Sequence, residues 1–354
     1  MNMIVRYRLG LSDVLRKAKM IILSKELLYK HKTPPTPALY EAYYVKNSAL
    51  TLLGDVSDLS KTFGVDEFIY TNIFVYDGNL YVNGSRQTTG GKVTSATGRV
   101  SSATYLSYYI DDGKLYSLDY SSLTSTQIGT DNDWIKVCGY SSSSSTGNYR
   151  AFAEKSDGLY YVQDTATQIS TLTGWTKITG YGIVTGSTHY GYGIRNGELY
   201  YLYADGTGVV QQGTDTTWTD ITGSKEGSSW YGYGINDGKL YRLSGTPTQV
   251  GSSTSWTEIS GTASSSAKAF GVNGGGLYSI TGTTATQIGS ATDWINCSGF
   301  ADSSRLSLAC DGSALYTVSN SGSRTKIADG EFIYLSGNVW SSSAYAIVIK
   351  RKQQ

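Results

Sequence analysis

From residue 68 onward the chain repeats itself at intervals of about 40 residues, and a period of that length restricts the fold to an array of like supersecondary units. The first recurring element is an acid or Asn, then Gly, a spacer, and Leu-Tyr. It stands at Asp77-Gly78-Asn79-Leu80-Tyr81, Asp112-Gly113-Lys114-Leu115-Tyr116, Asn196-Gly197-Glu198-Leu199-Tyr200 and Asp237-Gly238-Lys239-Leu240-Tyr241. Shortened, degenerate and lengthened copies are Asp157-Gly158-Leu159-Tyr160, Gly274-Gly275-Gly276-Leu277-Tyr278 and Asp311-Gly312-Ser313-Ala314-Leu315-Tyr316. The tyrosines are 35, 44, 40, 41, 37 and 38 residues apart. The second element is a Trp followed five residues later by Gly, with an aliphatic residue between: Trp134, Trp175, Trp218, Trp256 and Trp294. Phe332 to Gly337 stands in for a sixth copy, and Val93 to Gly98 is a weaker one.

Each repeat reads as four strands. Trp-x-x-Ile-x-Gly is the first, and a Ser/Gly loop leads to an alternating second strand such as Tyr231-Gly232-Tyr233-Gly234-Ile235. Asp-Gly makes a two-residue hairpin, because both positions tolerate positive φ. Leu-Tyr opens the third strand, and Thr-Gln-Ile-Gly or Thr-Gln-Val-Gly, as at Thr248 to Gly251, forms the fourth. A four-stranded unit of about 40 residues is a propeller blade. The expected fold is therefore an all-β, seven-bladed β-propeller over 68–354, its N- and C-terminal strands sharing one blade. Phe332–Gly337 and Tyr345–Ile349 would complete the blade begun near Ile73–Gly84, hiding edges that otherwise invite aggregation. Both Ile73–Tyr76 and Tyr345–Ile349 claim the second-strand role, which a partial eighth blade or an overlaid strand would explain.

Composition agrees with a β protein. The 354 residues include 42 Gly and 30 Tyr, with 12% aromatics and only 16% charged. The Gly has no three-residue period, so collagen is excluded, and 3 Cys are too few for a disulfide framework.

Charge is concentrated at one end. Residues 1–47 hold nine Lys/Arg and three acids, a balance of +6 on a chain of net +1, which leaves −5 for the remainder. Ser12 as N-cap, Asp13 in the first turn, and Leu11, Leu15, Ala18 and Ile22 at near-helical spacing predict a basic α-helical arm over 1–32. A Pro-containing linker over 33–67 follows, with Pro34, Pro35 and Pro37 stiffening it. Arg16, Lys17 and Lys19 interrupt the apolar core that a signal peptide needs, and no stretch of about 20 apolar residues could span a membrane. The arm, with Arg16, Lys17, Lys19 and Lys25 as its anchoring charges, reads as a docking element for another subunit or the body. An anionic partner is the alternative, with nucleic acid disfavoured.

The phrase Gln287-Ile288-Gly289, Asp293-Trp294, Ser307-Leu308-Ala309, Asp311-Gly312, Leu315-Tyr316 resembles the regulator-of-chromosome-condensation repeat in its bacterial and viral versions. The tectonin repeat is similar over the Trp-to-Gly part. The resemblance covers about residues 68–350 and implies a seven-bladed propeller, without supplying functional residues. The arm, the absent signal peptide and the Ser/Thr/Tyr/Gly-rich repeats together resemble a bacteriophage virion protein. That resemblance implies assembly into virions in the host cytoplasm, with other virion subunits as partners.

Material for chemistry is scarce. The only histidines are His31 and His189, so a His-based triad or metal cluster lacks residues, and no cofactor or metal is expected. Tyr105, His189 and Trp230 fall at the ends of equivalent Ser/Gly loops. They read either as an aromatic rim for sugar rings, such as a host surface glycan, or as packing between blades. The recurring Trp residues read as core, filling the wedge between blades, and Cys138, Cys297 and Cys310 as buried thiols. A glycosidase needs a spaced carboxylate pair. Several acids here already serve Asp-Gly turns, and Glu154, Asp220 and Glu258 have no recognisable setting. The sequence thus reads as a non-enzymatic virion structural or adaptor protein of a phage tail, baseplate or head fibre. A glycan-binding, lectin-like propeller is the alternative.

Overall fold

The computed structural model describes residues 40–352 apart from 47–48, 57, 65–72, 99–105, 120, 140–150, 182–189, 204–206, 227–228, 262–268, 299–305, 320 and 341–342. Its strands form eight separate four-stranded antiparallel sheets. Seven are made in chain order. Blade 1 runs from Phe63–Gly64 through Ile73–Tyr76 and Asn79–Val82 to Ser85–Arg86. Blades 2 to 7 begin with inner strands Val93–Ala96, Trp134–Gly139, Trp175–Tyr181, Trp218–Glu226, Trp256–Ser260 and Asn296–Ser298. Their outer strands are Thr124–Gln127, Ala166–Ser170, Gly208–Gln211, Thr248–Gln249, Thr284–Gln287 and Arg324–Asp329.

Blade 8 joins the two ends of the chain. Its inner pair is Phe332–Trp340 and Ser343–Arg351, and its outer pair is Tyr40–Lys46 and Ala49–Val56. Tyr40 lies opposite Arg351 and Lys46 opposite Tyr345. Three expectations are corrected by these pairings. The propeller has eight blades rather than seven. It begins at Tyr40 rather than at residue 68, so part of the segment read as a linker is strand. The C-terminal strands complete their own blade with Tyr40–Val56, while Ile73–Tyr76 pairs with Phe63–Gly64. The rival claims on the second-strand role disappear, because the two strands belong to different blades. The α-helical arm expected over residues 1–32 falls outside the described residues. Among the described residues the only helix is a 3-10 turn, Leu59–Lys61, and the fold is all-β without an α-helical element. No helix among them is long and apolar enough to cross a membrane.

The Trp element packs between blades. Trp134 shares a cluster with Tyr108, Ile110 and Leu115 of blade 2, and Trp218 one with Tyr192, Ile194 and Leu199 of blade 4. Each Trp also meets the Tyr of its own blade's Leu-Tyr. The pairs Trp134–Tyr160, Trp175–Tyr200, Trp218–Tyr241, Trp256–Tyr278 and Trp294–Tyr316 have centroids 5.2 to 5.6 Å apart. Both recurring sequence elements therefore make one contact, repeated blade by blade. Burying an indole of this size contributes up to about 5 kcal/mol before entropy is charged against it. The alternating glycines of the second strand make room for it: a Cβ on Gly234 would overlap the Trp218 ring.

The hairpin glycine has two reasons to be glycine. Asp237 and Gly238 adopt φ of 50° and 72°, the left-handed values a two-residue hairpin requires. The connection to the next blade also lies directly on the turn, and a Cβ on Gly238 would overlap the Thr254 carbonyl. The Gly238 carbonyl accepts the Trp256 N–H at 3.0 Å. Gly251, at φ 66°, has open space where its Cβ would be. Gly251→Ala should then cost only backbone strain, about 1–2 kcal/mol. Gly238→Ala should cost at least ~1 kcal/mol more, because the docked connection must move. Urea unfolding of the two variants checks this, and equal losses would refute the close-approach argument.

Candidate functional site

Near the axis the inner strands share a local irregularity. A β-bulge follows the first residue of the strand between Val93 and Ser95, Trp134 and Lys136, Trp175 and Lys177, Trp218 and Asp220, Trp256 and Glu258, and Phe332 and Tyr334. Bulges re-aim side chains. Here the residue two past the aromatic position reaches the inner strand of the next blade. Ser95 Oγ donates to the Val137 carbonyl at 3.1 Å and accepts its N–H at 3.0 Å. Lys136 Nζ donates to the Trp175 carbonyl, and Lys177 pairs with Asp220. The Tyr334 hydroxyl accepts the Gly64 N–H at 3.1 Å, joining blade 8 to blade 1.

A second tier lies two residues further along. The Cys138 thiol donates to the Ile178 carbonyl, Thr222 Oγ1 accepts the Gly261 N–H at 2.8 Å, and Ser298 donates to the Gly337 carbonyl. Together these bonds form a polar belt that ties neighbouring inner strands around the axis. Burial pushes the Lys136 ammonium below lysine's ordinary pKa, with the Glu154 charge opposing that shift.

Within this belt Lys136, Lys177, Asp220 and Glu258 follow one another in blades 3 to 6 at the same strand position. Asp220 is engaged by Lys177 and by the Ile221 N–H. Glu154 is 3% exposed and substitutes for a backbone group. In blade 3 the two-residue turn falls one position earlier in the repeat, at Ser156-Asp157 with Gly158 opposite Lys155, and a side chain rather than a turn carbonyl receives the amide of the next blade's Trp. The Glu154 carboxylate accepts the Gly174 N–H at 2.5 Å and the Trp175 N–H at 3.2 Å instead. Sequence reasoning missed this role. The absent spacer between Gly158 and Leu159 was the available signal, since it moves the two-residue turn back to Ser156-Asp157 and takes away the Gly carbonyl that the next connection meets elsewhere. Glu154→Ala strands the buried Trp175 N–H and frees the exposed Gly174 N–H, and should cost about 2 kcal/mol. Glu154→Gln keeps an accepting oxygen and should lose less than half as much, as read from the shift in urea midpoint.

The ring has two distinct faces. Asp-Gly hairpins and blade-to-blade connections share one of them, as the Trp134 N–H to Gly113 carbonyl bond of 2.9 Å demonstrates. Blade 8 has no such hairpin. In its place Arg351 and Tyr40 lie side by side, so the first and last strands of the ring meet on this face. An ionic clasp surrounds them: Arg351 with Glu331 at 3.4 Å, and Lys352 with Asp55 at 2.6 Å and Glu41 at 3.8 Å. Tyr43 donates to Glu41 at 2.7 Å, and this bond to a carboxylate pushes its phenol up to about 12. The opposite face is where inner strands pass into second strands.

The rim residues expected from sequence are only partly placed. Tyr105 and His189 lie outside the described residues, as do Arg16, Lys17, Lys19 and Lys25. Trp230 sits in the second strand of blade 5, opposite Lys225 and towards that opposite face. Cys138, Cys297 and Cys310 are buried, and burial drives the Cys310 thiol up to about 12.

No family model and no curated protein matches the sequence. Solved structures match in fold. The dihydro-heme d1 dehydrogenase NirN, solved in complex with DHE, is 11% identical over 85% of this chain and 75% of its own, with a TM-score of 0.51. BamB from Moraxella catarrhalis is 12% identical over 88% of this chain and 99% of its own, at 0.47. YCF48 from Cyanidioschyzon merolae is 12% identical over 73% and 95%, at 0.44. Likeness at these identities is one of fold, a propeller of repeated four-stranded blades.

Proposed function

We propose that this chain is a non-enzymatic structural or adaptor protein of a virion, its ring serving as a docking platform and its basic N-terminal segment as the attachment. The observation that carries the reading is the division of the ring into two faces. The first strand begins and the last strand ends on one face, where Tyr40 lies opposite Arg351. The connections between inner and second strands belong to the other, which leaves that face available for a second contact. Two of the three acids that could serve as an acid–base pair are engaged between blades: Asp220 by Lys177, and Glu154 by two backbone amides. A rigid ring with an attachment on one side suits assembly better than turnover. The basic balance of residues 1–47 supplies charge for docking on an acidic subunit surface.

A second reading is glycan binding on the far face. It is favoured by the inner hairpin of blade 5, which stays paired out to Glu226 opposite Ser229 and carries Trp230 past the end of the third strand. Its candidates remain Tyr105, His189 and Trp230, and a bacterial-polysaccharide array without binding would exclude it. For the first reading, the decisive variant lacks residues 1–39 and keeps every described strand. Its circular dichroism and melting temperature should match the full chain, while its incorporation into particles should fall below detection. Undiminished incorporation would exclude the segment as the attachment.

A further inference from the structure

The hairpin face of the ring carries the charge imbalance of the whole ring. Its turns and its connections between blades hold eleven acids and two lysines, Lys61 and Lys92. The strand ends beside them bring more of both signs, and Arg324 and Lys326 reach acids there. With all of these counted, the face has sixteen acids against eleven Lys/Arg. Residues 40–354 hold twenty-six acids and twenty-one Lys/Arg, so the excess of five on this face is the entire imbalance and the other positions cancel. Ion pairs occupy part of the face: Lys155 holds Asp131 and Asp157, and Arg324 holds Asp293 and Asp311. Asp58, Asp77, Asp215 and Asp237 are exposed and form no ion pair. The turns do not require these charges. Asn196 makes the same left-handed turn at φ 53° that Asp77 and Asp237 make at 47° and 50°.

We infer that this face is the docking surface for residues 1–39 of the same chain. Three observations select that occupant. Residues 1–39 carry eight Lys/Arg and two acids, a balance of +6 against the −5 of the ring. Residue 39 joins Tyr40, which lies opposite Arg351 on this face and not on the other. Even at a helical rise of ~1.5 Å per residue the segment reaches ~58 Å, and a compact chain of the ring's length is about 50 Å across. The tether holds the segment near its own ring at about millimolar effective concentration, ahead of a second copy. Exposed ion pairs are individually weak, so the docking is salt-sensitive and leaves the melting of the ring to its own strands. The inference stands apart from the virion reading: any acidic surface that takes this segment must compete with the chain's own face.

Tryptic cleavage after Arg16, Lys17 and Lys19 reads the docking. At ~0.01 M salt, where the Debye length is ~30 Å, cleavage in the full chain should be at least about fivefold slower than in a free peptide of residues 1–39. At ~1 M salt, where it is ~3 Å, the two rates should meet. Protection should be independent of protein concentration. Asp77→Asn, Asp215→Asn and Asp237→Asn combined should remove most of it with circular dichroism unchanged, since Asn suits the turns and keeps an accepting oxygen for Asn236. Carbodiimide coupling at low salt should join Lys17, Lys19 and Lys25 to acids of the hairpin face. Equal cleavage of chain and peptide at low salt overturns the proposal. So do cross-links made chiefly to acids of the opposite face, such as Asp164 and Glu226, and protection that grows with concentration, which assigns the segment to a second copy.

Discussion

Every blade but one begins by laying its entering backbone across the hairpin of the blade before it, or across that hairpin's substitute. From blade 1 to blade 7 the bond recurs as Val93 N–H to Gly78, Trp134 to Gly113, Trp218 to Gly197, Trp256 to Gly238 and Trp294 to Gly275, at 2.8 to 3.0 Å. At the seventh joint the Gly330 N–H reaches the Ser313 carbonyl at 2.7 Å. This docking sets the start of the inner strand, and with it the position of the Trp that packs between the blades. It also demands a left-handed turn with no Cβ under the crossing chain, which is why Asp-Gly or Asn-Gly recurs where the backbone could have turned in other ways. Blade 3 tests that logic naturally. Its turn falls one position earlier, at Ser156-Asp157, and a buried carboxylate takes over the bond.

A stack of such units could propagate indefinitely, since each buries its face only against its neighbours. The eighth blade ends the propagation by pairing Tyr40–Lys46 with Ser343–Arg351, the most distant partners in the chain. Closure removes the terminal faces that a solenoid would have to cap. It leaves eight outer edges, of which seven run only two to six residues. The closing blade must also replace a covalent hairpin with side-chain chemistry, which is the work of the Arg351–Glu331 and Lys352–Asp55 pairs. The price of that arrangement is a long apolar outer strand at the one place where the repeat pattern is interrupted.

Much of the blade was legible because its two sequence elements meet in one contact. Trp218 and Tyr241 are 23 positions apart and touch, and the same holds in the four blades where both residues recur. The inner, second, third and outer strands follow the order that the spacing implied. Blade 8 was not legible as a blade. Its outer half, Tyr40–Val56, contains neither the Trp element nor the Asp-Gly hairpin, because the hairpin is the point where the chain ends lie. Phe332 marked its inner strand, but nothing local to Tyr40–Lys46 distinguishes a third strand from a linker. The belt was equally silent. Lys177 and Asp220 are 43 residues apart, and a bulge invisible to simple alternation turns them toward each other.

The sequence by itself determined the unit: its length, its four strands, its turn chemistry and the aromatic pair at its heart, all set by contacts within one repeat or with the adjacent one. Tertiary structure alone decided how many units make the circle and which segments close it. It also decided which charges the axis consumes and which edge stays open. Those outcomes depend on the angle between neighbouring blades summed around a full turn, and on partners hundreds of residues apart. No local periodicity encodes either quantity.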